Sequence, residues 1–187
     1  MEILKKRSGA VLAAIIIVTL STFFGVHRSL GAACQEVTDS FFNGVYDSSW
    51  GASRTSISSQ LTKRQEAALG VITISSTYPE LDSYTQNLRD ARNDLLAAST
   101  ASDYYSANVE LDEQFHKLVS ALDAVSLTAS QHDNLSAYST TFKGAQSTIE
   151  SAGYNEAVRD FNRKVLNVFP TNLLSSITFV DEPELFE

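Results

Sequence analysis

The chain has 187 residues, 43% of them hydrophobic and 19% charged, which is enough apolar material for one domain with a real core and an appendage. Three prolines and eight glycines are too few for an all-β design rich in tight turns. The net charge of −8 is uneven: from Ser29 onward, 10 Lys/Arg face 21 Asp/Glu, and such a polyanion repels phosphates, so nucleic acid is not expected as a partner.

Lys5, Lys6 and Arg7 open the chain, and no charged residue follows between Ser8 and Val26. At helical rise these 19 residues cover about 28 Å, close to the hydrocarbon thickness of a bilayer. The sequence therefore divides into a short cytoplasmic N-terminus (residues 1–8) and a transmembrane helix (residues 9–26), with the lipid bilayer as the partner of the second. Three cations precede the span and Arg28 alone follows closely, so the N-terminus is expected in the cytoplasm and the body outside it. The opposite orientation is the rival reading. Cleavage near Gly31-Ala32-Ala33 is disfavoured by the long apolar run and by the intervening His27 and Arg28. Cys34 is the sole cysteine, which excludes an intrachain disulfide. It is read as a small apolar residue on a helix face, with lipid modification as a lesser alternative, because Leu30 stands one position too far away for the usual lipoprotein box.

Ala33, Val37, Phe41 and Val45 recur every four residues, so the transmembrane helix is expected to continue into the body until Gly44 and Asp47-Ser48-Ser49-Trp50-Gly51 break it. The serine-rich stretch Ser53 to Ser59 reads as a loop. A helix with a stripe of Leu61, Ala68, Val71 and Ile72 follows and ends near Tyr78-Pro79. The next carries Tyr84, Leu88, Ala91 and Leu95. After a capping turn at Ser99 to Asp103, Leu111, Phe115, Leu118, Leu122 and Val125 give the clearest stripe, spaced 4, 3, 4, 3. Ser130 to Asp133 resembles a capping box that opens a helix with Leu135, Tyr138, Phe142, Ala145 and Ile149. Ser151-Ala152-Gly153 interrupts, and Tyr154, Val158, Phe161, Val165 and Val168 resume the pattern until Phe169-Pro170 stops it. No useful segment alternates with period two. The stripes are narrow, so each helix needs partners on one side only. The fold class is all-α: the transmembrane helix continues into an elongated antiparallel up-and-down bundle over residues 27–172, with an acidic C-terminal tail at 173–187.

Tyr154-Asn155 and Phe161-Asn162 pair an aromatic with Asn twice at a distance of seven, and Phe169-Pro170-Thr171-Asn172 closes the run. This pattern resembles the signature of the LemA family. Gln60-Leu61-Thr62-Lys63-Arg64 is similar to the start of that family's first full bundle helix, and Phe186-Glu187 to its usual ending. The chain departs from the family's usual Asp-x-Ala-Trp pattern over Glu36 to Gly44, as a divergent member would. The resemblance implies a bacterial protein with one membrane helix, an antiparallel helical domain and an unsettled molecular role. It singles out Tyr154, Asn155, Phe161, Asn162, Phe169, Pro170 and Asn172 as possible partner contacts.

Each candidate site has a plainer structural reading. Asp112 and His116 share a helix face, but two ligands do not make a zinc site, so a surface ion pair is expected and no metal or cofactor. No Gly-x-Ser-x-Gly elbow and no phosphate-cradling glycine loop is present. Asn155 and Asn162 are expected to hydrogen-bond inside the bundle and fix its register, or else to present amides to a partner. Trp50, in a polar loop, is expected either to anchor a contact or to pack on the bundle end. The expected function is that of a membrane-anchored, non-enzymatic scaffold or interaction module of the cell envelope with a protein partner. The alternatives are a ligand sensor acting through a membrane partner, since only about eight residues precede the anchor, and a hydrolase with a site between helices.

Overall fold

The computed structural model describes residues 7–49 and 51–187, and the side chains from residue 9 onward; Trp50 lies outside the described residues. Helix α1 (Arg7–Asn43) runs unbroken from the apolar segment to Gly44, as the spacing predicts. None of its most apolar 18-residue stretch is buried, and Val11, Ile15, Val18 and Phe24 stand exposed, so this helix is long and apolar enough to cross a bilayer. Gly44 ends it because only glycine fits there. Its φ is +81°, and an added Cβ would lie 1.8 Å from the carbonyl oxygen of Arg54.

Two two-residue strands follow, β1 (Tyr46–Asp47) and β2 (Ala52–Ser53), paired antiparallel with Tyr46 opposite Ser53. The sequence reading places a loop here. Arg54 holds the hairpin by an ion pair to Asp47 at 2.8 Å and donates to the carbonyl of Ser151.

Four helices form the bundle: α2 (Ile57–Ser75), α3 (Asp82–Ala97), α4 (Ala101–Leu122) and α5 (Ala129–Glu150). Their connectors are short, so successive helices run antiparallel; α2 packs on α3, α4 and α5, and α3 packs on α4. Three of the four starts carry a side-chain cap, and α3, which follows Leu81, has none. Ser56 accepts the Ser59 amide, and Thr100 with Asp103 and Thr128 with Gln131 form complete capping boxes. The last box lies two residues earlier than the expected Ser130–Asp133, because Thr128 and Gln131 satisfy the same reciprocal pattern.

The expected stripes of α4 and α5 form the core: Leu111, Phe115, Leu118, Leu122 and Phe142 are fully buried, and Leu135, Ala145 and Ile149 nearly so. The stripes of α3 and α2 differ from expectation. In α3 it is Thr85 that is buried and Tyr84 that is exposed, since the Thr85 hydroxyl finds partners in Ser75 and the Leu81 carbonyl. Helix α2 does not bury one narrow side. Packing against three helices buries Ile57, Gln60, Ala67, Ile74 and Ser75 besides the expected stripe.

The chain divides into two compact units, Met1–Thr38 with Val158–Pro183 and Asp39–Ala157 with Glu184–Glu187. After Gly153 (φ +79°), α6 (Tyr154–Phe161) passes into a π-helical turn at Asn162–Leu166. A further helix, α7 (Thr171–Thr178), is absent from the sequence reading and straddles the expected boundary at 172 and 173. In the first unit Leu30 and Cys34 pack with Leu166, flanked by Phe161, Val165 and Val180. The expected stripe ended in Val165 and Val168, but Leu166 is the buried residue and Val168 is 45% exposed.

Candidate functional site

Two polar constellations lie within the second unit, and each is built from groups that the helices bring together over long sequence distances. The first is centred on Arg64. The guanidinium is fully buried, hydrogen-bonds Asp112 of α4 and Gln146 of α5, and lies 3.9 Å from the centroid of the Phe142 ring. Phe142 in turn stacks on Phe115 at 3.7 Å. Asn108 donates to the same Gln146 oxygen, which ties α2, α4 and α5 into one network. Desolvation lowers the Arg64 pKa from its ordinary value, and the hydrogen bond and charge of Asp112, with that of Glu150, oppose the shift. Arg64 Nε and Asn108 Oδ1 are buried without a hydrogen-bond partner.

The other oxygen of Asp112 lies 3.7 Å from His116 Nε2. Among the described residues no group of three or more His, Cys, Asp or Glu is placed to hold a metal. A shallow, open depression beside this region is lined by Tyr84 of α3 and by Glu113, His116, Lys117, Ser120 and Ala121 of α4, with Lys117 and Glu113 paired at 2.6 Å.

The second constellation is a clamp on the C-terminal residues. Gly153 turns the chain so that α6 begins with Tyr154 and Asn155. The Asn155 amide donates through Nδ2 to the Phe186 carbonyl and accepts the Phe186 N–H at Oδ1, both at 2.8 Å. The Tyr154 hydroxyl donates to the Glu184 carbonyl, also at 2.8 Å. The Phe186 ring enters an aromatic cluster, 5.4 Å from Tyr105 and 5.8 Å from Phe41, and Phe41 also meets Tyr104 and Tyr154. Burial, and after it the Glu184 carboxylate, push the Tyr154 phenol up to about 12.

The signature residues thus fall into two sets. Tyr154 and Asn155 belong to the clamp in the second unit. Phe161, Asn162, Phe169, Pro170 and Asn172 belong to the first unit. There Phe161 packs on the Leu30–Cys34–Leu166 cluster, Phe169 is 79% exposed, Pro170 precedes α7, and the Asn172 carbonyl accepts the hydroxyls of Ser175 and Ser176. The Asn162 Oδ1 is buried with no partner. Asn155 therefore bonds the chain's last residues rather than a neighbouring bundle helix.

Arg64, Gln146 and Phe186 escaped the sequence reading as site residues. A signal for Arg64 was present: Leu61, Arg64, Ala68 and Val71 are spaced 3, 4, 3, so the arginine occupies the gap in an apolar stripe.

No curated protein and no solved structure matches this chain. The model of one family does, over residues 53–187, which begin at the last residue of the hairpin and take in the four-helix bundle, Tyr154 and Asn155 of the clamp, and the C-terminus. With well over half of its length matched, the chain belongs to the LemA family.

Proposed function

We propose that this LemA-family chain is a membrane-anchored, non-enzymatic interaction module of the cell envelope. Helix α1 crosses the bilayer through residues 9–26, with the N-terminus cytoplasmic and the acidic bundle on the other side meeting a protein partner. One observation carries the reading. The polar side chains of both constellations are engaged inside the fold: Arg64 with Asp112 and Gln146, and Asn155 with the Phe186 backbone. Groups so engaged hold helices and chain ends in place; they are not directed at a substrate.

Photocrosslinking in intact cells tests the partner. A crosslinker at Leu96 or Val109, both exposed on the bundle, is expected to give one discrete protein adduct. Adducts that are diffuse, or absent at every exposed bundle position, count against the module. Orientation is read with a membrane-impermeant thiol reagent on Ser136→Cys, an exposed position on α5. Cys34 contributes little background, because it is buried and desolvation, aided by Glu182 and Asp181, raises its thiol pKa. Labelling in intact cells supports an external bundle, and labelling only after lysis reverses the orientation.

A further inference from the structure

Residues 165–180 contain no charged side chain, yet much of this stretch is not core. Phe169, Leu173 and Ile177 recur every four residues on one face of α7 and its lead-in, and all three are exposed. Phe179 ends the helix in the left-handed region, with φ 53°, and its ring is 85% exposed. A non-glycine residue in that conformation costs roughly 1–2 kcal/mol. The conformation closes the helix, with the N–H groups of Phe179 and Val180 both reaching the Ser175 carbonyl, and it leaves the phenylalanine in solvent contact.

The position of this face says what covers it. His27, the first residue after the uncharged span, donates through Nδ1 to the Thr178 carbonyl at 2.8 Å. One and two turns further along α1, Leu30 and Cys34 pack on Leu166. The end of α7 is therefore pinned at the level where α1 changes from apolar to polar, and its large apolar side chains stand exposed, as Val18, Leu20 and Phe24 do on α1.

We infer that α7 and its flanking phenylalanines are a second membrane contact: a short interfacial helix whose Phe169, Leu173, Ile177 and Phe179 side chains enter the headgroup–acyl boundary beside α1. The inference rests on the anchoring of α1 proposed above. No cationic side chain lies within residues 165–180, and the adjacent Arg163 and Lys164 are both paired with Asp160. Burial of apolar surface therefore supplies the attraction, and a zwitterionic bilayer suffices.

The test uses the full chain in phosphatidylcholine vesicles, with Cys34→Ala and single cysteines carrying an environment-sensitive fluorophore. Leu173→Cys and Phe179→Cys report on α7, Ile16→Cys on the span, and Leu96→Cys on the bundle surface. The α7 probes are expected to emit to the blue of the Leu96 probe and to lose about two-fold or more of their intensity when the lipids carry bromine near the headgroup. Emission like that of the Leu96 probe overturns the inference. So does blue-shifted emission that resists brominated lipid and depends on the protein-to-lipid ratio, which would mean that a second copy covers the face. Quenching of the Ile16 probe by deeply brominated lipid separates the two readings: if it is quenched while the α7 probes are not, the anchor stands and the interfacial helix falls. If the Ile16 probe is also unquenched, the anchoring reading falls.

Discussion

Replacing Asn155 with alanine removes both hydrogen bonds that hold Phe186, and the balance of forces at the clamp sets the result. Burying Phe186 contributes about 2–3 kcal/mol. Three hydrogen bonds to the last four residues contribute roughly 1 kcal/mol each. Against this stands the ordering of those four residues, at about 1–2 kcal/mol apiece. The two sides are within a few kcal/mol of each other. Losing about 2 kcal/mol with Asn155 is therefore enough to release the C-terminus while the bundle stays folded. Hydrogen exchange should show the Phe186 amide, which donates to Asn155 Oδ1 at 2.8 Å, losing its protection in Asn155→Ala while amides of α4 keep theirs. A double-mutant cycle supplies the magnitude. Once Asn155→Ala has freed the chain end, Phe186→Ala should cost almost nothing more in denaturant midpoint, so the coupling approaches the whole single-mutant effect. Additive effects, or a Phe186 amide still protected in Asn155→Ala, would refute the clamp.

The remaining predictions concern the bundle and its titration. Asp112→Ala should destabilise by about 3–5 kcal/mol, because it strips the carboxylate from a fully buried guanidinium. Arg64→Met should cost clearly less, since the anion it leaves behind is 42% exposed and regains water; equal losses in chemical denaturation would contradict this asymmetry. A Cβ on Gly70 would meet the Tyr138 ring at 2.4 Å, so Gly70→Ala should be unfavourable in the wild type. In a Tyr138→Ala background the same change should stabilise by about 0.5–1 kcal/mol through helix propensity, read as a shift in thermal midpoint. Burial, and after it the Glu184 carboxylate, push the folded-state Tyr154 phenol up to about 12 from its ordinary 10.0. The raised value favours the protonated phenol, so its contribution is fully present below pH 10 and is lost as pH rises towards 12. The wild type should lose about 1–3 kcal/mol more than Tyr154→Phe across that window, as urea unfolding at successive pH values would measure.

The bundle was legible in sequence because its core is built from apolar residues at helical spacing, and Leu111, Phe115, Leu118 and Leu122 announce α4 without tertiary information. Thr85 and Arg64 were illegible by the same rule. A polar residue becomes core only when a partner distant in sequence satisfies it, such as Ser75 for Thr85 or Asp112 and Gln146 for Arg64. Helix α7 was missed for a related reason. Its exposed apolar face does not fit a bundle helix, which buries such a face, and the acidic residues after Val180 made the whole segment read as a tail. The C-terminal clamp left even less trace, since Asn155 binds backbone atoms and any residue but proline at position 186 would supply those.

The repeated aromatic-Asn pair shows why identical motifs do different work. Seven residues make slightly less than two full helical turns, so an unbroken α-helix would keep Tyr154-Asn155 and Phe161-Asn162 on nearly one face. The helix does not continue unchanged: a π-helical turn opens at Asn162, and each such turn takes about one residue more than an α-turn. The buried position downstream accordingly moves by one, from the expected Val165 to Leu166. The same widening ends the run of α-helical geometry at Asn162, whose Oδ1 is left buried without a partner. Such wide turns persist where surrounding contacts reward them, and here Leu166 gains its place against Leu30 and Cys34. The second Asn therefore marks the point where the chain leaves bundle geometry to pack along α1, whereas the first, in regular helix, is positioned to hold the chain end.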